Sequence, residues 1–141
     1  MSAVVIINGP NLNMLGVRQP EIYGPDTFES AFESFVNEFK QLDLQYVQSN
    51  VEGELVSLIQ EHGMRADYLI INAAAYTHTS IAIADAIAAV KAPCIGVHMS
   101  NIYKREKERH IDLIAKYCEA CLFGFGMDSY RLALEYISKK G

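Results

Sequence analysis

The sequence is poor in cysteine, in positive charge and in long apolar runs, and each shortage closes off a class of function. Its three cysteines, Cys94, Cys118 and Cys121, are too few and odd in number for a disulfide framework, which points to a reduced, cytoplasmic protein. No stretch approaches the ~20 apolar residues that a membrane span needs. Met1-Ser2-Ala3 carries no basic region, and the apolar run from Val4 to Ile7 is far too short for a signal peptide. Positive charge is outnumbered, with 12 Lys+Arg against 17 Asp+Glu and a formal net charge of −5. That balance gives no diffuse attraction to nucleic acid or to an anionic membrane, so neither is expected as a partner. An anionic small molecule would have to be held by a few placed groups. The chain also lacks HExxH and His-x-His patterns, and Cys118-x-x-Cys121 has no second ligand pair, so no metal is expected. Gly9-Pro10-Asn11 has no phosphate-loop lysine. Gly124-Phe125-Gly126 lacks a third glycine at position 129, which is Ser129, and no second strand follows it to bind a ribose. No cofactor is expected.

What remains is rich in apolar residues and regular. At 141 residues the chain has the size of one domain, read here as a single catalytic domain over 1–141. Half of it is hydrophobic, the top of the usual globular range, which suggests a face buried against another copy of the chain. Short β-branched or apolar runs alternate with helical periods. Strands are expected at Val4–Ile7, Leu44–Ser49, Tyr68–Ile71, Cys94–His98 and Ala120–Phe123. Phe28, Phe32, Phe35, Val36 and Phe39 recur at helical spacing behind a capping box at Asp26 and Glu29. Leu55, Leu58 and Ile59 mark a second helix closed by Gly63 as its C′ residue. An alanine-rich helix follows Thr79 or Ser80 as cap, a further helix is expected near Ile111–Lys116, and a last one over Ser129–Lys139. Such alternation predicts an α/β fold: three layers, with a five-stranded parallel sheet and helices on both faces. The connection from Gly9 to Asp26 spends about 18 residues where 2–6 is usual, so a lid loop is expected at about 9–26.

In an open parallel sheet, ligands bind beyond the carboxyl ends of the strands. There the first strand gives Asn8-Gly9-Pro10-Asn11, the third gives Asn72 and Tyr76-Thr77-His78-Thr79-Ser80, and the fourth gives His98-Met99-Ser100-Asn101. Adjacent strands would converge these clusters on one crevice. His62 and His110 fall on helices, and for His62 a solvated or capping imidazole is the reading. His78 and His98 follow buried strands, where an imidazole can stay neutral and either donate or accept. Tyr23 lies in the long loop with Arg18 five residues away. A tyrosine there is ordinarily a packing anchor, but a nearby guanidinium favours phenolate, and a phenolate can act as base on a carbon acid.

The motif Asn8-Gly9-Pro10-Asn11-Leu12-Asn13-Met14-Leu15-Gly16, followed by Arg18, Pro20 and Tyr23-Gly24, resembles the opening of the type II 3-dehydroquinate dehydratases. The resemblance continues through Gln48-Ser49-Asn50, Glu52-Gly53-Glu54-Leu55, Tyr76 to Ser80 with Asp85, Val97-His98 with Ser100-Asn101, and Arg105, Glu106 and Arg109. It implies a flavodoxin-like fold and a cofactor-free hydro-lyase. That enzyme converts 3-dehydroquinate to 3-dehydroshikimate by anti elimination through an enolate, in the shikimate pathway or in quinate catabolism. In that scheme Tyr23 takes the C2 proton as a phenolate kept ionised by Arg18. Asn11 orients a water on the enolate, and His98 protonates the departing C1 hydroxyl. Backbone N–H groups of Met99 and Ser100 hold the substrate carboxylate, while Asn72, His78 and Arg109 take ring hydroxyls. Asp85 matches a position that reaches into a neighbouring subunit's site, and the resemblance implies a dodecamer of four trimers.

Four departures stand out. Gly96 sits where the family usually has a glutamate, two residues before its acid histidine. Ala73-Ala74-Ala75 replaces Pro-Gly or a glycine pair, Ala84 replaces arginine, and His110-Ile111-Asp112 replaces a serine-containing stretch. The alternative reading is a non-catalytic or drifted paralogue that binds a quinate- or shikimate-like hydroxy acid.

Overall fold

Five strands, Ser2–Asn8 (β1), Leu42–Gln48 (β2), Tyr68–Asn72 (β3), Cys94–His98 (β4) and Ala120–Phe123 (β5), pair in parallel into one sheet of order β2-β1-β3-β4-β5. This is the flavodoxin-like order, with its reversal between β1 and β3. The computed structural model describes residues 1–17, 21 and 26–140.

Alternation within β1 explains the layers. Val4 and Ile6 point to one face and Val5 and Ile7 to the other, and all four are buried. The first face packs against Phe28–Glu38 (α1), through Phe28 and Phe35, and Asp128–Lys140 (α4), through Tyr130, Ala133, Leu134 and Ile137. The second face packs against Glu52–Gly63 (α2), through Leu55 and Ile59, and Ile81–Ala89 (α3), through Ile83, Ala84, Ala86 and Ile87. Strands buried on both faces read as continuous apolar runs rather than as polar–apolar alternation, which is the pattern of β3 and β4. Among the described residues no helix is long and apolar enough to cross a membrane.

Three local expectations need correction. The cap of α1 is Thr27, not Asp26: the Thr27 hydroxyl accepts the Ser30 N–H at 3.2 Å. Gly63 is the last residue of α2 rather than a C′ glycine, and Met64 behind it is right-handed. Its missing side chain serves packing instead, since a Cβ there would lie 2.6 Å from Val90 Cβ. The helix expected near Ile111–Lys116 does not form. In its place the chain runs from β4 to β5 through 3-10 turns at Ile102–Lys104, Lys107–Arg109 and Ala115–Tyr117. The backbone groups that a helix would pair internally are bonded elsewhere. Leu113 N–H goes to Thr77 O at 2.9 Å, and Asp112 Oδ1 accepts from both Ile114 and Ala115 N–H. His110 accordingly ends a 3-10 turn rather than lying on a helix, and its Nε2 meets Arg105 O at 2.9 Å.

Candidate active site

The carboxyl ends of β1, β3 and β4 open onto one crevice. Among the described residues its walls include Asn11, Asn72, His78, His98, Met99, Ser100 and Arg109, with Pro10, Leu12, Met14, Ile102 and Arg105 between them. Three clusters far apart in sequence thus meet at one sheet edge because their strands are neighbours in the order β1-β3-β4.

Each side chain is placed by local physics. Asn11 has φ of 70°, a left-handed conformation that asparagine tolerates well, and its N–H is held by Asn50 Oδ1 at 3.0 Å. This presents Asn11 to the crevice from the first turn after β1. Asn72, at the end of β3, is nearly buried. Its Oδ1 accepts the Ala74 N–H at 3.1 Å and its Nδ2 donates to the Tyr130 hydroxyl at 2.8 Å. The same hydroxyl donates to Asn8 Oδ1 at 2.8 Å, so Tyr130 of α4 ties the ends of β1 and β3 together. Burial pushes the Tyr130 phenol well above its ordinary value, so it stays a neutral donor and acceptor.

The two histidines that follow buried strands lie together. Their rings are 6.2 Å apart and near parallel, at 21°. His78 Nδ1 is 2.7 Å from Ile111 O, and because a carbonyl only accepts, Nδ1 carries the proton and Nε2 keeps its lone pair. Burial lowers the His78 pKa below the usual imidazole value. The Ile111 carbonyl opposes that shift, while His98 and Arg109 add to it. His98 is buried, and its Nε2 lies 3.0 Å from Asp112 Oδ2. Desolvation pushes the Asp112 carboxyl up, but the His98 contact and the Ile114 and Ala115 N–H groups outweigh it and leave the group below its ordinary value. Asp112 is therefore a carboxylate at neutral pH.

Around these groups sit two arginines. Arg109 pairs with Glu106 through Nε. Arg105 Nη1 reaches Ser100 Oγ at 3.5 Å. Among the described residues no group of three or more His, Cys, Asp or Glu is placed to hold a metal ion.

Sequence reasoning thus names seven residues that the fold gathers at this crevice. Asp85 is not among them: it is exposed on α3, away from the crevice. Arg18 and Tyr23 lie outside the described residues, as do Pro20, Gly24 and part of the loop read as a lid. Asp112 was missed as a member of the site because the pattern 110–112 reads only as a departure from a serine-containing stretch. The available signal was the pairing of a lost carboxylate at position 96 with a new one at position 112.

With this geometry in place, the comparisons with known proteins are specific. The family model described as dehydroquinase class II matches residues 2–138. The chain is 53% identical over 133 residues to a 3-dehydroquinate dehydratase of a Nitratiruptor species, covering 93% of this chain and 85% of that protein. It is 46% identical over 136 residues to catabolic 3-dehydroquinase 1 of Fusarium vanettenii, covering 95% and 94%. The crystal structure of type II dehydroquinase from Propionibacterium acnes superposes with a TM-score of 0.94 at 34% identity, covering 99% of this chain and 97% of that one.

Proposed function

The chain belongs to the class II dehydroquinase family, and from that premise we propose how its crevice eliminates water from 3-dehydroquinate to give 3-dehydroshikimate. The protein is a hydro-lyase, and the reaction needs three things: a base at C2, stabilisation of the enolate, and a proton for the departing C1 hydroxyl. The observation that carries this reading is the buried His98 at the end of β4, stacked on His78 and lining one crevice with Asn11.

In the family's scheme Tyr23, as a phenolate kept ionised by Arg18, takes the C2 proton. Asn11 orients a water onto the enolate oxygen, the kind of preorganised donor that contributes most where charge develops. His98 then gives its proton to the C1 oxygen, and that oxygen leaves as water with the C–O bonding pair. Atoms and charge balance without a cofactor. His78, with Nε2 unprotonated, accepts from a ring hydroxyl, and Asn72 donates its second amide proton to another. Arg109 and the N–H groups of Met99 and Ser100 receive the oxygens of the substrate, its carboxylate included. Asp85 acts in an assembly of four trimers, where it completes a neighbour's site; its exposure on α3 supports that role.

Adding 3-dehydroquinate to the purified protein should produce the ultraviolet absorbance of the conjugated enone. Tyr23→Phe should lower kcat by about 10²–10⁴-fold, the range for losing a general base, with substrate affinity little changed. Tight substrate binding with no absorbance rise in the unaltered protein identifies instead a non-catalytic paralogue.

A further inference from the structure

We propose that Asp112 is the positioning residue for His98, supplying from the β4–β5 connection the carboxylate that strand β4 lacks at Gly96. This deepens the dehydratase reading above and rests on it. The first ground is direct geometry. Asp112 Oδ2 lies 3.0 Å from His98 Nε2, with side chains only 14% and 7% exposed, so little water competes for either group. The carboxylate is itself clamped, because its other oxygen accepts from Ile114 N–H and Ala115 N–H, both at 3.0 Å. A carboxylate fixed in this way requires the Nε2 proton. It thereby sets the tautomer and plane of the ring and leaves Nδ1 as the nitrogen that delivers a proton. It also compensates the charge that the ring carries when both nitrogens are protonated.

The second ground is the space at position 96. Gly96 and His98 are alternate residues of β4 and share a sheet face. A Cβ at Gly96 would meet Cys121 Sγ at 3.3 Å and Cys118 Sγ at 3.4 Å. A strand-borne glutamate would lie against these thiols, which need to give by only a few tenths of an ångström to admit it. Both thiols are pushed above their ordinary pKa, Cys121 chiefly by its contact with Cys118, and so remain neutral beside Asp112. Asp112 thus brings to His98 a carboxylate that position 96 does not supply.

Capping the turn is the rival role for Asp112, and the substitution must separate the two. Asparagine and serine both cap turns through oxygen. Asp112→Asn keeps an oxygen for Ile114 and Ala115 but turns an N–H₂ donor toward His98 Nε2. If Asp112 positions His98, Asp112→Asn and Asp112→Ser should each lower kcat by roughly 10–100-fold, the usual cost of losing a carboxylate behind a working histidine, with KM changed far less. Adding Gly96→Glu to Asp112→Ser should restore most of kcat in a variant that folds with the same circular dichroism. Nitrogen-15 NMR of the unaltered protein should show His98 protonated at Nε2, and Asp112→Asn should lose that signature. Wild-type kcat in Asp112→Asn, an unchanged His98 tautomer, or a folded double variant as slow as Asp112→Ser overturns the proposal. Absence of enone from the unaltered protein would overturn the dehydratase reading instead, and the NMR result stands apart from it.

Discussion

His78 and Asp112 both contact His98 and respond to acid in different windows. The His78 pKa is lowered chiefly by burial, with His98 and Arg109 adding to the effect. The unfolded chain therefore takes up this proton more readily than the folded one. Its stability cost appears as pH falls below the unperturbed imidazole value of about 6.5 and grows down to the folded pKa. Asp112 is depressed in the folded state, so its contribution holds through that window. It is lost only lower, as pH falls through a folded pKa under the ordinary carboxylate value of about 4. Urea midpoints should fall between about pH 7 and pH 5 in the unaltered protein, and fall less in His78→Gln, which cannot take the proton. Equal slopes in the two proteins would mean that His78 is not the group responsible.

At the level of elements, the turn after β3 carries the clearest stored strain. Ala74 has φ of 53°, the left-handed region that favours glycine. Asn72 Oδ1 holds it there by accepting the Ala74 N–H. Ala74→Gly should raise unfolding free energy by about 0.5–1 kcal/mol, the relief of strain less the added freedom of the unfolded chain, measured by chemical denaturation. The strands and long helices were legible because burial on both sheet faces and helical spacing leave marks in composition, and Cys94–His98 and Ala120–Phe123 match the expected bounds. The β4–β5 connection was not legible. Ile111, Leu113 and Ile114 have a helix-like spacing, but their backbone groups bond to Thr77, His78 and Asp112, contacts set by tertiary structure and invisible to periodicity. For the same reason the crevice could be read from its strand ends, while Asp112, which arrives on that connection, could not.

Across the whole molecule, the role proposed for Asp85 is the one that depends on association. It is exposed on α3, whereas the seven gathered residues line the crevice. Asp85→Asn and His98→Asn should each lose most activity as homogeneous assemblies. Dissociated, mixed in equal amounts and reassembled together, they should recover roughly a quarter of unaltered activity, the share of sites that random pairing leaves with both native residues. No recovery would confine Asp85 to its own chain or remove it from the reaction. The hydroxyl of Tyr130 carries a different consequence, one of timing. It bonds Asn8, 122 positions earlier in the chain, and also Asn72. A growing polypeptide emerges from the ribosome at about 5–20 residues per second, and β1 emerges before α4. His78 and His98 are then synthesised before the tyrosine that ties the ends of β1 and β3, so the nascent chain holds these groups for seconds without that tie. The tie between the ends of β1 and β3 closes only once α4 has been made.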